Sequence, residues 1–281
     1  MLETIQPVEK KTAVPTRTIQ VGKSKRPFFF LHGAWTGGTP LYCFTLARTL
    51  GRDQPFYGLD PYNVDGLDVP ATLEDMAAAH IQAMRAIQPE GPYQLGGFCS
   101  GAFLSYEMAR QLKEQGQEIN FLLLVAPSNI TDSLRRKRNI FNALGTLFHI
   151  SRKQQLSLFL RLRHALRHIY RKILPPEDGR IEGFSTLLTL EPRLDIMFPP
   201  MEALYKDFPG LFPWLAADYK PHFLPENVTF IWAGDDLGAK SIWGSIEQKE
   251  NSAVIPGPYM GLIDEHLHLL AEQLKVSLNR V

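Results

Sequence analysis

The sequence predicts an α/β fold, with a mostly parallel central sheet, helices on both faces and one long helical insertion. Three observations carry that prediction. From Pro27 onward, short apolar runs of strand length alternate with amphipathic stretches of helical length. The alternation stops over residues 128 to about 225, which read as helical and irregular, and resumes beyond them. Finally, 281 residues that are 44% hydrophobic and 21% charged suffice for one full core, so a single interrupted core is preferred to two side-by-side domains.

Residues 1–26 mix Lys, Thr, Pro and Gln and read as a leader or linker, with a possible edge strand at Arg17 to Val21. The main domain spans 27–281. Phe28 to Leu31 is a buried strand ending at His32-Gly33, followed by a helix near Tyr42 to Leu50 and a strand at Phe56 to Leu59. Thr72 opens the next helix, to Ile87, because Thr72-x-x-Asp75 places a capping hydroxyl three residues before an acid. A strand at Tyr93 to Leu95, a helix from Gly101 to Gln115 and a strand at Phe121 to Val125 follow. After the insertion come strands at Val228 to Trp232 and Ser252 to Ile255, then a helix from Asp264 to Leu278.

The net charge of +1 excludes nucleic-acid binding on bulk charge, but the average conceals a segregation. Between Ser133 and Pro176 there are eleven Lys and Arg and no acid, which leaves the remainder at −10. Leu156, Phe159, Leu160, Leu166, Ile169, Tyr170 and Ile173 recur there at helical spacing, with Arg161, His164, His168, Arg171 and Lys172 expected on another face. Cys43 and Cys99 fit neither a disulfide framework nor a zinc site, so no metal and no bound cofactor are expected. The first eleven residues lack a secretory signal's apolar run and nothing approaches a membrane span, which points to a soluble protein of the reducing cytoplasm.

The most informative segment is Gly97-Phe98-Cys99-Ser100-Gly101, set between a strand and a helix. This is the spacing of a nucleophile elbow, a sharp strained turn whose small flanks let the central side chain stand free at the sheet's carboxyl edge. Cysteine holds the nucleophile's place.

Together with that elbow, His32 to Gly38, Ser105 to Arg110, Trp232 to Asp236, and Ile255-Pro256-Gly257 leading to Glu265-His266-Leu267 resemble the thioesterase domains of nonribosomal peptide and polyketide synthases over residues 27–281. The resemblance implies an α/β-hydrolase fold with the insertion as a lid. It also implies a substrate acyl group carried on the phosphopantetheine thiol of a carrier protein, which is generally acidic and suits docking near the basic lid. Cys99 becomes the nucleophile, the backbone N–H groups of Ser100 and Ala34 the oxyanion hole, and Asp236 (or Asp235) the acid, while His32 ties down its loop. The base position departs from the pattern: relatives read Pro-Gly-x-His, whereas this chain reads Pro256-Gly257-Pro258-Tyr259.

That departure redirects the expected chemistry. A free thiol, ordinarily near pKa 8.5, is already a few per cent thiolate at neutral pH and attacks a thioester whose leaving thiolate needs no acid. Hydrolysis of an acyl-enzyme needs activated water, and a phenol ordinarily near pKa 10 is a poor base at pH 7. The expectation is therefore acyl transfer or cyclisation from a Cys99 acyl-enzyme, with Tyr259 in a supporting position. The alternatives are a hydrolase using a displaced histidine such as His266, or a non-catalytic binder of an acyl carrier or hydrophobic ligand. Phe198, Pro199, Pro200, Phe208, Phe212, Trp214 and Leu215 are candidates for an acyl tunnel, though core filler would look the same.

Overall fold

In the computed structural model, the described residues are 16–33, 40–60, 69–128, 130–173, 198–222, 226–235, 237, 240–244, 246 and 251–279. Among them, seven strands form one sheet: β1 (Thr16–Gln20), β2 (Phe28–Leu31), β3 (Phe56–Leu59), β4 (Tyr93–Phe98), β5 (Ile119–Val125), β6 (Val228–Ala233) and β7 (Ser252–Ile255). Their order is β1-β3-β2-β4-β5-β6-β7, with β1 antiparallel at one edge and all other neighbours parallel. Runs such as Phe28-Phe29-Phe30-Leu31 are apolar throughout because both sheet faces are covered. Phe28 and Phe30 enter the core on one face, Phe29 and Leu31 the core on the other.

Helices α1 (Leu41–Thr49), α2 (Leu73–Arg85) and α3 (Ser100–Glu114) alternate with the first strands. As the capping motif predicts, the Thr72 hydroxyl accepts the Asp75 amide at 3.1 Å. The insertion supplies α4 (Asp132–Leu147), α5 (Arg152–Ile173), α6 (Met201–Tyr205) and α7 (Phe208–Ala216), and the chain closes with α8 (Lys240–Trp243) and α9 (Leu267–Leu278). Helices α2 and α3 pack together against one sheet face, and α1 and α9 against the other.

The lid helix α5 is turned differently from the face its sequence suggests. Leu156 and Leu160 are buried as expected, but Leu166 and Ile169 are 57% and 42% exposed, while His164, expected on the polar face, is only 5% exposed. The cause lies in carboxylates remote in sequence. Asp207, at the head of α7, pairs with Arg163 and Arg167, and Asp218, just beyond α7, pairs with Arg152 and with Arg138 of α4. Those pairs draw the Arg163–Arg167 side of α5 inward, and Phe159 stacks on Trp214 at 3.9 Å between centroids. Phe212, Trp214 and Leu215 are core filler within this packing. The side chains from Tyr170 to Ile173 lie outside the described residues.

Candidate active site

The chain runs from β2 outward to β3 and then returns past β2 to β4, so the carboxyl ends of β2 and β4 flank a topological switch point, where open α/β sheets bind ligands. The turn after β2 is His32-Gly33 and the turn after β4 is Cys99.

Cys99 has φ 61° and ψ −119°, a left-handed backbone that costs a non-glycine residue roughly 1–3 kcal/mol. Its amide donates to the Val125 carbonyl at 2.9 Å, and α3 starts at the next residue. The glycine flanks are obligatory. A Cβ on Gly97 would lie 2.2 Å from the Gly101 carbonyl oxygen, and one on Gly101 2.1 Å from that of Leu31. The sharp turn thus closes only because strand and helix backbones touch.

Gly33 packs beside the elbow at φ +68°, its missing Cβ facing the Phe98 carbonyl. His32 is buried with Nε2 3.1 Å from Asp60 Oδ1, and Arg17 Nε donates to Asp60 Oδ2 at 2.6 Å. Burial pushes Asp60 upward, but the hydrogen bonds from His32 and Arg17 outweigh it and hold the carboxyl below the ordinary range. The Tyr42 hydroxyl donates to the His32 carbonyl. His32 and Gly33 are thereby held beside the elbow at the end of β2. Nearby His80 has Nδ1 2.8 Å from the Met76 carbonyl and Nε2 3.2 Å from that of Asp60; burial lowers its pKa, and the neutral ring donates to one of the two.

Among the described residues, the hydrogen-bond partner of the half-buried Cys99 thiol is Ser128, with Sγ and Oγ 3.0 Å apart. Ser128 escaped the sequence reading. It stands three residues past the end of β5, where Ala126 at φ 38° turns the chain back over the elbow and the Ser128 amide approaches the Cys99 carbonyl at 3.4 Å. The available signal was a hydroxyl shortly after the strand beside the elbow strand, but the left-handed Ala126 that aims it has no sequence signature.

Tyr259 opens a 3-10 turn (Tyr259–Ile263), and its ring stacks on Phe98 with centroids 5.0 Å apart. Burial, followed by the nearby Cys43, Tyr259 and Cys99, pushes the Tyr42 hydroxyl well above its ordinary pKa. Ser100 begins α3 beside Gly33. His266 caps α9, its ring against Gly257 and Gly261 beneath the Tyr259 turn, and among the described residues no imidazole is hydrogen-bonded to the Cys99 thiol. Asp235 is exposed, its amide bound to the Gly257 carbonyl. Asp236 and Ala34 lie outside the described residues.

The second cysteine is a contrast: Cys43 is fully buried, and burial pushes its thiol up to about 12. Behind the elbow, Glu107 of α3 is buried and accepts hydrogen bonds from Arg110, Gln111 and Tyr219, tying α3 to the segment that leaves the lid. Among the described residues, no cluster of three or more His, Cys, Asp or Glu could hold a metal ion, and no helix is long and apolar enough to cross a membrane.

An open parallel sheet with a strained cysteine at a strand-to-helix elbow defines a protein of the α/β-hydrolase class. The thioesterase-domain family model matches residues 26–168, half of the chain, and the protein belongs to that family. It is 34% identical over 162 residues to the non-reducing polyketide synthase PKS16 of Cladonia grayi, covering 54% of this chain and 8% of the synthase. It is 38% identical over 114 residues to a dimodular nonribosomal peptide synthase of Bacillus subtilis (strain 168), covering 40% of this chain and 4% of that protein. The chain thus corresponds to a small part of these curated relatives. Among solved structures, the NocB thioesterase domain bound to a fluorophosphonate nocardicin G analogue superposes with a TM-score of 0.55 at 20% identity, over 94% of this chain and 99% of the other.

Proposed function

We propose that the protein is an acyl-transfer or chain-releasing enzyme that takes acyl or peptidyl groups from a carrier-protein thioester onto Cys99 and passes them to a nucleophile other than water. One observation supports this reading above the others: the elbow thiol is paired with a hydroxyl, and among the described residues no imidazole is hydrogen-bonded to it. In the first step Cys99 sulfur attacks the thioester carbon. The new carbon–sulfur bond forms as the bond to the carrier's pantetheine sulfur breaks, and the carrier leaves as a thiolate. The backbone amides of Ser100 and Ala34 hold the oxyanion of the intermediate. In the second step a thiol, amine or carbon nucleophile of the substrate or of a second carrier takes the acyl group, giving transfer or cyclisation. Asp236 and Tyr259 support the site, and residues 27–281 make up the catalytic domain, with 128 to about 225 as its lid. The acidic carrier docks near the basic lid, where Arg136 and Arg161 are exposed. A reducing cytoplasm suits this chemistry, because both cysteines are free thiols.

Incubation with an acyl-loaded carrier protein, followed by intact mass, tests the proposal. An acyl adduct on Cys99 builds up, is absent from Cys99→Ala, and is discharged faster by an added thiol or amine than by buffer. In the Arg136→Glu, Arg161→Glu double variant, loading needs more carrier, whereas loading from a small acyl thioester is unchanged. Rapid hydrolysis with no adduct would point to a histidine-assisted hydrolase, and carrier binding without acyl loss would point to a binding module. Either result overturns the proposal.

A further inference from the structure

We propose that the Ser128 hydroxyl is a catalytic hydrogen-bond donor that holds the Cys99 sulfur as a thiolate. The inference rests on Cys99 being the nucleophile, and adds the group that activates it. In the resting thiol either atom of the pair can donate across the 3.0 Å contact. Once Sγ has lost its proton to solvent it can only accept, and Ser128 becomes the donor to a charge. Hydrogen bonds to ionised groups are roughly twice as strong as neutral ones, so the contact favours the thiolate over the thiol.

The surrounding geometry is directed at this pair. Two non-glycine residues adopt left-handed backbone here, Cys99 at φ 61° and Ala126 at φ 38°, one aiming the sulfur and the other returning the chain so that Ser128 faces it. The turn is pinned on both sides, by the Ala126 amide on the Ile231 carbonyl at 2.7 Å and the Cys99 amide on the Val125 carbonyl at 2.9 Å. Among the described residues the phenols of Tyr42 and Tyr259 lie nearby, and the hydrogen-bond partner of the thiol is Ser128. Tyr42 of α1 spends its proton on the His32 carbonyl, and the Tyr259 ring is stacked on Phe98. Two buried carboxylates of the surrounding elements are engaged elsewhere, Asp60 by His32 and Arg17, Glu107 by Arg110, Gln111 and Tyr219.

The same donor serves both half-reactions. It stabilises sulfur as the attacking thiolate when the carrier is displaced, and again as the leaving thiolate when the acyl group moves on. Ser128 keeps its own proton throughout, which separates its role from that of a general base.

Iodoacetamide alkylation of Cys99 in the full chain, followed peptide by peptide across pH, tests the assignment without carrier or acyl group. Ser128→Ala slows alkylation about threefold near neutral pH, a loss of thiolate partly offset by the greater reactivity of a thiolate without a donor, and the deficit vanishes or reverses above about pH 10.5, where any accessible thiol is ionised. Ser128→Thr, which keeps the hydroxyl, follows the wild-type profile. An alanine variant that matches the wild type at every pH overturns the donor role. So does one slowed by the same factor at every pH, because that is an effect of access rather than ionisation, and so does a threonine variant as slow as alanine. A wild-type protein that shows this pH signature yet never acquires an acyl group from a carrier refutes the proposed function alone.

Discussion

Tyr219→Phe removes one bond from the buried network that ties the elbow helix to the lid. The Tyr219 hydroxyl donates to Glu107 Oε2 at 2.6 Å, and the Glu107 side chain has no solvent exposure. Arg110 Nε, Arg110 Nη2 and Gln111 Nε2 each still donate to that carboxylate at 2.7 Å in the variant, so no charge is orphaned. The ring also keeps its edge contacts with Phe103 and Tyr106. The expected cost is therefore the charge-assisted bond itself, about 1.5–2 kcal/mol, rather than the 3–5 kcal/mol of a broken buried ion pair. At about 2–4 °C per kcal/mol for a domain near this size, Tm falls by roughly 3–8 °C. The midpoint of urea unfolding falls with an unchanged slope.

The pH dependence of that cost has two signed limbs. Burial raises Glu107, but the hydrogen bonds from Arg110, Tyr219 and Gln111 outweigh it and depress the carboxyl, so its contribution is present above the unfolded value of about 4.3 and fades as pH falls through the folded one. Burial first, then the Glu107 charge, raises Tyr219, so its contribution is full below the unfolded value of about 10 and fades as pH rises beyond it. The difference between wild type and variant is thus widest near neutrality and narrows toward both extremes. A variant within about 0.5 kcal/mol of wild type at pH 7, the usual scatter of surface substitutions, refutes the reasoning.

Iodoacetamide adds one label to the native protein and two to the denatured one. With its thiol at about 12, Cys43 is ionised to only about one part in ten thousand at pH 8, so the native label sits on Cys99 and disappears in Cys99→Ala; intact mass counts both. Asp60→Asn removes the ion pair that anchors His32 at the end of β2, beside the elbow, and slows the proposed acylation of Cys99 about tenfold or more, because small displacements of positioning groups are costly to rate. It also removes an acid-labile contribution: the wild-type carboxylate is depressed, so it stabilises above about pH 4 and loses that effect as pH falls through its folded value. Acid unfolding of the asparagine variant is correspondingly shallower, read by circular dichroism.

The sheet was legible because its central strands are short runs whose residues face two covered surfaces, and because helices between them carry local start signals such as Thr72 and Asp75. The start of α3 at Ser100 is likewise local, since Gly97 and Gly101 are demanded by backbone contact within a few residues of Cys99 and across to Leu31. The lid was less legible. Its helical period was visible, but the side of α5 that turns inward is set by Asp207 and Asp218, forty and more residues away, and by the Phe159 stack on Trp214. Propensity and period say that a helix forms; distant ion pairs say which way it is rolled.

The site divides along the same line. Cys99 could be read because an elbow is a contiguous pentad whose chemistry and backbone requirement coincide. Its partner could not, because the partner's place depends on a turn at Ala126 that glycine, asparagine or aspartate would have announced and alanine does not. The family pattern leads to an acid and an imidazole, residue types that titrate, whereas the group at hydrogen-bond distance is a hydroxyl that does not. The proposed cysteine nucleophile would relax the need for a base strong enough to deprotonate serine, whereas the glycines that shape the elbow are fixed by backbone contact. What the sequence makes most legible in such a protein is therefore the scaffold of the elbow. The groups that tune it must be sought on the strand ends that the sheet order brings alongside.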